Sequence, residues 1–155
     1  MKYFCLIAVA LCFGFFVINP AHSANGVVTV KSQYKFAHTI DRFKTIVEKK
    51  GMKIIAQINH SKGANKVGIK LPPTQLMVFG NPKVGAPLME CARGIAIDLP
   101  QKMLIWEDRA KQVWLSYNDP AYIADRHNLE PHCRKSLKKI AGALSKFSKV
   151  AGGAE

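Results

Sequence analysis

Two histidines, His60 and His127, are the side chains best suited to acid–base chemistry in this sequence. Imidazole titrates near neutral pH, so either histidine could accept or donate a proton during a reaction. Arg126 precedes His127 and would suit an anionic ligand, because a guanidinium group binds carboxylates and phosphates through paired hydrogen bonds. The alternative is structural: Arg126 pairs with a carboxylate, and His127 closes a helix as a C-terminal cation. We favour the structural role and keep both residues as candidates.

Three further polar residues lie at expected turns. Asp98 lies two residues before a proline and Asp119 directly before one, so either carboxylate could act as a general base or orient a histidine. Asn81 follows a glycine at the end of a predicted buried strand, where open sheets place ligand contacts. Each also has a structural alternative, since Asn and Asp at such positions commonly cap helices or close turns. The candidate ligand-binding residues are therefore His60, Asn81, Asp98, Asp119, Arg126 and His127.

The sequence shows no established metal or cofactor motif. His127, His132 and Cys133 are close together and Cys91 could join them, but their spacing matches no zinc signature. The chain also lacks a phosphate-binding loop, a dinucleotide-binding motif, a haem attachment motif and a nucleophile elbow. We therefore predict no metal site and no cofactor.

The first 24 residues have the pattern of a secretory signal peptide. Lys2 gives a positive start, residues 3–18 form an uncharged apolar run, and Ala21 and Ser23 place small residues before the expected cleavage site. The alternative is an uncleaved anchor, but the run of 16 residues is shorter than the roughly 20 that span a membrane. We therefore predict cleavage after Ser23 or Ala24 and a periplasmic or secreted protein.

Cleavage would leave two cysteines, Cys91 and Cys133. In an oxidising compartment an even pair commonly forms a disulfide. The alternative is two separate buried thiols, which behave as small hydrophobic side chains. Spacing alone does not show that the two sulfurs meet, so both possibilities stay open.

The mature chain is strongly basic: losing Lys2 leaves 22 basic and 10 acidic residues, a net charge of +12. Export argues against a nucleic-acid partner, and aromatic residues are not interleaved with the basic ones as a stacking surface requires. Residues 131–155 are predicted to form a basic amphipathic helix with a frayed glycine-rich tail. This helix could contact an anionic membrane surface. Alternatively, it packs on the domain through an apolar stripe of Leu137, Ile140, Leu144 and Phe147.

Composition is that of an ordinary globular domain, with 48% hydrophobic and 21% charged residues. The hydrophobic patterns predict strands at 27–32, 52–58, 75–79, 101–107 and 112–117. Helices are predicted at 36–50, 62–67, 83–93, 120–127 and from residue 131. The first strand–helix–strand segment fits a parallel βαβ unit or an antiparallel arrangement equally well.

Several short motifs occur in a characteristic order and spacing. They are Phe79-Gly80-Asn81-Pro82, Leu88-Met89, Asp98-Leu99-Pro100, Trp106-Glu107-Asp108, the run from Val113 to Pro120, and Arg126-His127. Together they resemble the bacterial domain-of-unknown-function 302 family over roughly residues 28–129. The resemblance implies a compact two-layer α+β domain with a mixed or antiparallel sheet. It makes a homodimer plausible and implies no general activity or cofactor.

The chain departs from this family pattern in three places. Cys91 and Cys133 are not family residues, and the basic helix after Leu129 is an extension. The hairpin turn at 108–111 lacks the usual glycine, which predicts a looser turn.

We therefore expect three regions: a signal peptide at 1–24, a family domain at 25–130, and a basic C-terminal helix and tail at 131–155. The first hypothesis is a non-enzymatic module that binds a small ligand or a protein partner in a cleft near Asn81, Asp98, Asp119 and His127. The second is a cofactor-free enzyme that uses His127 or His60 as acid–base and Asp98 to orient it. The third is a peripheral binder of anionic surfaces through the C-terminal helix.

Overall fold

The computed structural model describes residues 26–154, so the predicted signal peptide lies outside the described residues. The strands are β1 (Val27–Lys31), β2 (Lys53–Asn59), β3 (Thr74–Gly80), β4 (Gln101–Glu107) and β5 (Val113–Asn118). The helices are α1 (Phe36–Lys49), α2 (His60–Asn65), α3 (Pro82–Cys91), α4 (Pro120–Arg126) and α5 (Pro131–Gly152), with a 3₁₀ helix at Arg93–Ile97. The sheet has the order β1-β5-β4-β3-β2 and every neighbouring pair is antiparallel. The predicted α+β class is confirmed.

One face of the sheet is covered by α1 and α5. Side chains alternate along a strand, so every second residue of the central strands points to this face. The buried ones are Met77, Phe79, Met103, Ile105, Val113, Leu115 and Tyr117. The Phe79 ring lies 5.2 Å from that of Phe43 on α1 and 6.4 Å from that of Phe147 on α5. Both helices therefore share one core with the sheet.

The opposite side of the sheet carries apolar side chains that are only partly buried. We call it the open face, and it comprises Leu76, Val78, Leu104, Trp106 and Trp114. The two tryptophan rings stack with their centroids 6.4 Å apart. The open face is thus an apolar and aromatic surface that keeps contact with solvent.

The end of α5 is ordered rather than frayed, so the predicted frayed tail is wrong for residues 151–152. Ala151 is fully buried and Gly152 is buried as well. Arg42 of α1 donates from Nη2 to the carbonyl of Val150 at 2.7 Å and from Nε to that of Ala151 at 3.3 Å. A cation at a helix C-terminus also complements the helix dipole. A contact from a distant helix therefore holds this end in place.

The apolar stripe of α5 is buried in the core: Leu137, Ile140, Leu144 and Phe147 are at most 5% exposed. The structure thus supports the hypothesis that this helix packs on the domain. The hypothesis of a surface-binding helix therefore loses the exposed apolar stripe on which it depended, and only the solvated lysine face of α5 remains outside.

The hairpin turn between β4 and β5 is tied by Asp108, so the predicted looser turn is wrong. Its carboxylate accepts hydrogen bonds from Trp114 Nε1 at 2.9 Å and from the backbone N–H groups of Ala110 and Gln112 at 2.8 and 2.9 Å. These hydrogen bonds stabilise the charged carboxylate and hold the pKa of Asp108 below its ordinary value. The bond from Trp114 has the largest effect, followed by the backbone bond from Gln112. Lys111 adopts a φ of 63° in the position where glycine is usual.

A disulfide joins Cys91, the last residue of α3, to Cys133 in the first turn of α5. Their Cα atoms lie 6.2 Å apart. Of the two alternatives for this pair, the structure therefore has the disulfide and not two separate buried thiols. Closing a loop of this length restricts the unfolded chain by roughly 4 kcal/mol in the chain-entropy view. The disulfide fixes the C-terminal end of α3 against α5.

Candidate functional site

A cavity of about 550 Å³ lies between α3, α5 and the sheet ends that carry Phe79 and Gln101. Its floor is formed by Phe79, Leu144 and Phe147, which belong to the main core. Most of its other lining residues are apolar too, and they include Met52, Ile55, Val84, Pro87, Met89, Leu99, Pro100, Ile140 and Ala143. Ligand sites in proteins commonly have this volume and this apolar character.

The composition of α3 explains why a cavity forms here. This helix has only one buried residue, Leu88, and it places Gly85 and Ala86 beside the cavity, where larger side chains would fill it. Pro87 is the sixth residue of the helix, beyond the first turn where proline is best tolerated, and it cannot donate a hydrogen bond to the carbonyl four residues earlier. The small side chains of α3 therefore leave space between this helix and α5, although the disulfide holds its C-terminal end against α5.

Asn81 fixes the N-terminal end of α3. Its Oδ1 accepts a hydrogen bond from the backbone N–H of Lys83 at 2.9 Å, which is an N-cap. Its Nδ2 donates to the carbonyl of Gly51 at 3.0 Å, in the turn that follows α1. Asn81 also lines the cavity, so its side chain combines a structural role with a position beside this space.

Two lysine side chains give the mouth of the cavity a positive charge. Lys83 and Lys139 line it from α3 and α5, and both side chains are exposed. Among the described residues that line the cavity there is no Asp or Glu. An apolar chamber with two ammonium groups at its entrance suits an amphipathic anion, because the tail is desolvated while the head group stays near positive charge.

A second group of polar residues surrounds Asp98. His127 Nε2 lies 2.6 Å from Asp98 Oδ2, and Arg126 Nη1 donates to Asp98 Oδ1 at 3.3 Å. The side chains of Asp98 and His127 are 10% and 13% exposed, whereas that of Arg126 is 48% exposed. These bonds tie the segment before β4 to the end of α4.

Asp98 and His127 have the composition of an acid–base pair, but there is little space for a substrate beside Asp98. The cavity that touches Asp98 holds about 10 Å³, room for roughly one water molecule. The carboxylate is already hydrogen-bonded to both Arg126 and His127. This geometry explains the group as a clamp between two elements.

The six predicted site residues do not share one cavity among the residues described. Asp98, Arg126 and His127 come together, while Asn81 lies on the larger cavity. Asp119 caps α4, its Oδ1 accepting from the N–H of Ala121 at 2.9 Å.

His60 is exposed in the first turn of α2, which contacts the start of β3. Asn81 follows the other end of this strand, roughly 20 Å away at the usual rise per residue. His60 therefore cannot act together with Asn81.

Sequence reasoning missed most of the cavity residues, including Lys83, Gly85, Lys139 and Ala143. The available signal was a short helix with small residues and two prolines, Pro82 and Pro87. Such a helix can bury little of its own surface and so tends to leave space beneath it.

Comparison with solved structures shows the fold. The crystal structure of an uncharacterized conserved protein DUF302 from Bacillus stearothermophilus superposes with a TM-score of 0.75. The match covers 83% of this chain and 99% of that one, at 16% sequence identity. At this identity, the likeness concerns the fold alone.

The curated relatives include fluoride-specific ion channels of Brucella. The chain is 40% identical over 129 residues to FluC 1 of Brucella suis and, over the same length, to FluC 1 of Brucella abortus. These alignments cover 83% of this chain but 51% and 48% of the relatives, so the chain spans about half their length. Within residues 26–154, no helix has the length and apolar character needed to cross a membrane.

The family profile described as "Domain of unknown function DUF302" matches residues 28–147. It includes most of α5, so the prediction that the helix after Leu129 is an extension to the family pattern is wrong. This match covers most of the five-stranded sheet, the helices on it and the cavity between α3 and α5. The chain belongs to the DUF302 family.

Proposed function

We propose that this protein is an exported, non-enzymatic module that binds a small amphipathic anion in the cavity between α3 and α5. The observation that carries the proposal is the 550 Å³ apolar chamber with Lys83 and Lys139 at its mouth. A medium-chain or long-chain carboxylate has the matching chemistry. Its alkyl chain would lie against Phe79 and Phe147, and its head group would remain near the two ammonium groups.

Binding is favoured over catalysis by where the acid–base groups lie. The described lining of the cavity contains no His, Asp, Glu, Cys or Tyr. Of the pair that could transfer a proton, Asp98 and His127, Asp98 instead borders a separate cavity with room for roughly one water. A cofactor-free enzyme would need its substrate and its base in the same place.

The name of the relatives adds a membrane context to this proposal. Fluoride conduction is named for those proteins, and the present chain matches only about half their length. A membrane setting is where amphipathic anions are available.

A titration with ligands of one chain length tests the class of ligand. Dodecanoate should raise the melting temperature more than dodecanol, and dodecylammonium should have the weakest effect, all below their micelle concentrations. In a series of carboxylates, affinity should rise about fourfold for each added methylene until the chamber is full, since each buried methylene contributes about 0.8 kcal/mol. Equal binding of all three head groups, or no dependence on chain length, would contradict the proposal.

A charge-reversal pair makes this test specific for the mouth of the cavity. Lys83→Glu with Lys139→Glu should remove the preference for dodecanoate over dodecanol. Lys146→Glu with Lys149→Glu is the matched control, because both of these lysines are exposed on α5 and neither lines the cavity.

Export is part of the proposal, supported by the signal-peptide pattern of residues 1–24 and by the Cys91–Cys133 disulfide. In a Gram-negative host, the protein recovered from the periplasmic fraction should have the mass of a chain beginning at Ala24 or Asn25. A full-length chain confined to the cytoplasm would overturn this part of the proposal.

A second candidate function is binding of a protein partner, with another copy of this chain as that partner. The open face supports it, because a contiguous apolar surface with two tryptophans is characteristic of association sites. Light scattering at micromolar concentration should then give twice the mass of the monomer, and Trp106→Arg should return the mass to that of one chain. A monomer in the unsubstituted protein would exclude the dimer.

A further inference from the structure

Three potential metal ligands meet where α3 ends and α5 begins. They are the sulfur atoms of Cys91 and Cys133 and an imidazole nitrogen of His132, and they all lie within 4.8 Å of one another. His132 Nε2 is 3.1 Å from Cys133 Sγ. None of these residues lines the cavity proposed for the amphipathic anion. The sequence analysis named these residues but predicted no metal site from them, because Cys91 lies 42 positions from Cys133 and the spacing matches no zinc signature.

The imidazole of His132 is oriented for ligation. Its Nδ1 lies 3.4 Å from a carboxylate oxygen of Glu130, and its Nε2 faces the disulfide. The disulfide sulfur can only accept a hydrogen bond, so Nε2 donates to it in the oxidised protein; with the proton moved to Nδ1, beside Glu130, Nε2 would present its lone pair to an ion held by the two reduced sulfurs. Metal-binding histidines characteristically have this arrangement, in which a carboxylate holds the nitrogen that does not bind the metal.

The position of Cys133 also favours a negatively charged ligand. It is the third residue of α5, a helix of 22 residues, and the N–H groups of the first turn carry partial positive charge. A thiolate at such a position is stabilised relative to a thiol.

We propose that reduction of the Cys91–Cys133 disulfide creates a site for a zinc-type divalent ion, bound by two thiolates and His132 Nε2. In the reduction, a dithiol transfers two electrons and two protons to the disulfide. The sulfur–sulfur bond breaks, two cysteine thiols form, and the dithiol becomes a disulfide. Binding of the divalent ion then releases the two thiol protons. Two thiolates and one imidazole leave a fourth tetrahedral position for water.

The backbone can hold both states. Two thiolates at about 2.3 Å from one tetrahedral ion are about 3.8 Å apart, so the sulfurs need only turn away from each other about their Cα–Cβ bonds. The Cα separation of 6.2 Å can stay as it is. His132 is 74% exposed and so can follow the ion without disturbing the core.

Cobalt titration tests the proposal. The protein is reduced with dithiothreitol, freed of it without air, and titrated with Co²⁺. One Co²⁺ per chain should bind and produce thiolate-to-cobalt charge-transfer absorption, which Zn²⁺ then removes. The oxidised protein should show no such band. His132→Ala should bind Co²⁺ at least tenfold more weakly, and His60→Ala, which changes an exposed histidine on α2, should bind it normally.

Circular dichroism of the reduced chain shows whether the protein stays folded without the disulfide, and each case gives its own test. If the chain stays folded after reduction, absence of the thiolate band overturns the proposal. If reduction unfolds it, one equivalent of Zn²⁺ should restore the helical signal, and failure to do so overturns the proposal as well. Unchanged affinity in His132→Ala would show that the imidazole is not a ligand. These results are independent of carboxylate binding in the cavity.

Discussion

Ala143→Phe is expected to abolish dodecanoate binding while leaving the protein folded. Ala143 lies on the face of α5 that also carries Ile140 and Phe147, and it lines the cavity while remaining partly exposed. A phenyl ring there would occupy space needed by the ligand. If the ring displaces about four methylene groups of the ligand, the binding free energy should weaken by about 3 kcal/mol. The Kd for dodecanoate should then rise by roughly 100-fold or more. Calorimetric titration measures this change.

The control for this substitution is Lys146→Phe, which adds the same ring to the same helix three residues later. Lys146 is exposed and does not line the cavity, so dodecanoate affinity should remain that of the unsubstituted protein. Normal binding by a folded Ala143→Phe protein would mean that the ligand lies elsewhere.

Phe43→Ala should lower the free energy of unfolding by about 3–5 kcal/mol. Phe43 is fully buried, and its ring meets that of Phe79 in an edge-to-face contact at 5.2 Å. Removing it leaves a void between α1 and the sheet, which the antiparallel strands cannot close without moving. Urea unfolding followed by circular dichroism measures the loss.

Ile97→Ala provides the comparison, because this apolar side chain is 72% exposed in the 3₁₀ helix. Its effect should stay within about 0.5 kcal/mol. A loss below about 1 kcal/mol for Phe43→Ala would show that α1 contributes little to the core.

Local sequence patterns are sufficient to predict an element whose structure depends mainly on its own residues. The apolar run Met103–Trp106 predicts a strand at Gln101–Glu107, and these are the bounds that β4 has. The spacing of Ile40, Phe43 and Val47 predicts the buried side of α1. Parallel or antiparallel pairing could not be decided in this way, because it depends on partners far away in the sequence.

The candidate site was harder to predict because a cavity is defined by space between segments. Its lining comes from α3, α5, the turn after α1, the segment before β4 and strands β2, β3 and β4. Asn81 was identified from its place after a strand, whereas Ala143 carries no chemical signal of its own. The order of the last turn of α5 was missed for the same reason, since it depends on Arg42 from another helix.

The most direct test of ligand binding in the cavity is an NMR titration of isotope-labelled protein with dodecanoate. Backbone signals of Gly85, Leu99 and Ala143, which line the cavity, should shift and then saturate. Signals of Thr29 and of the Trp106 indole, on the other side of the sheet, should stay in place. Absence of saturable shifts, or shifts confined to the open face, would contradict the proposed binding site.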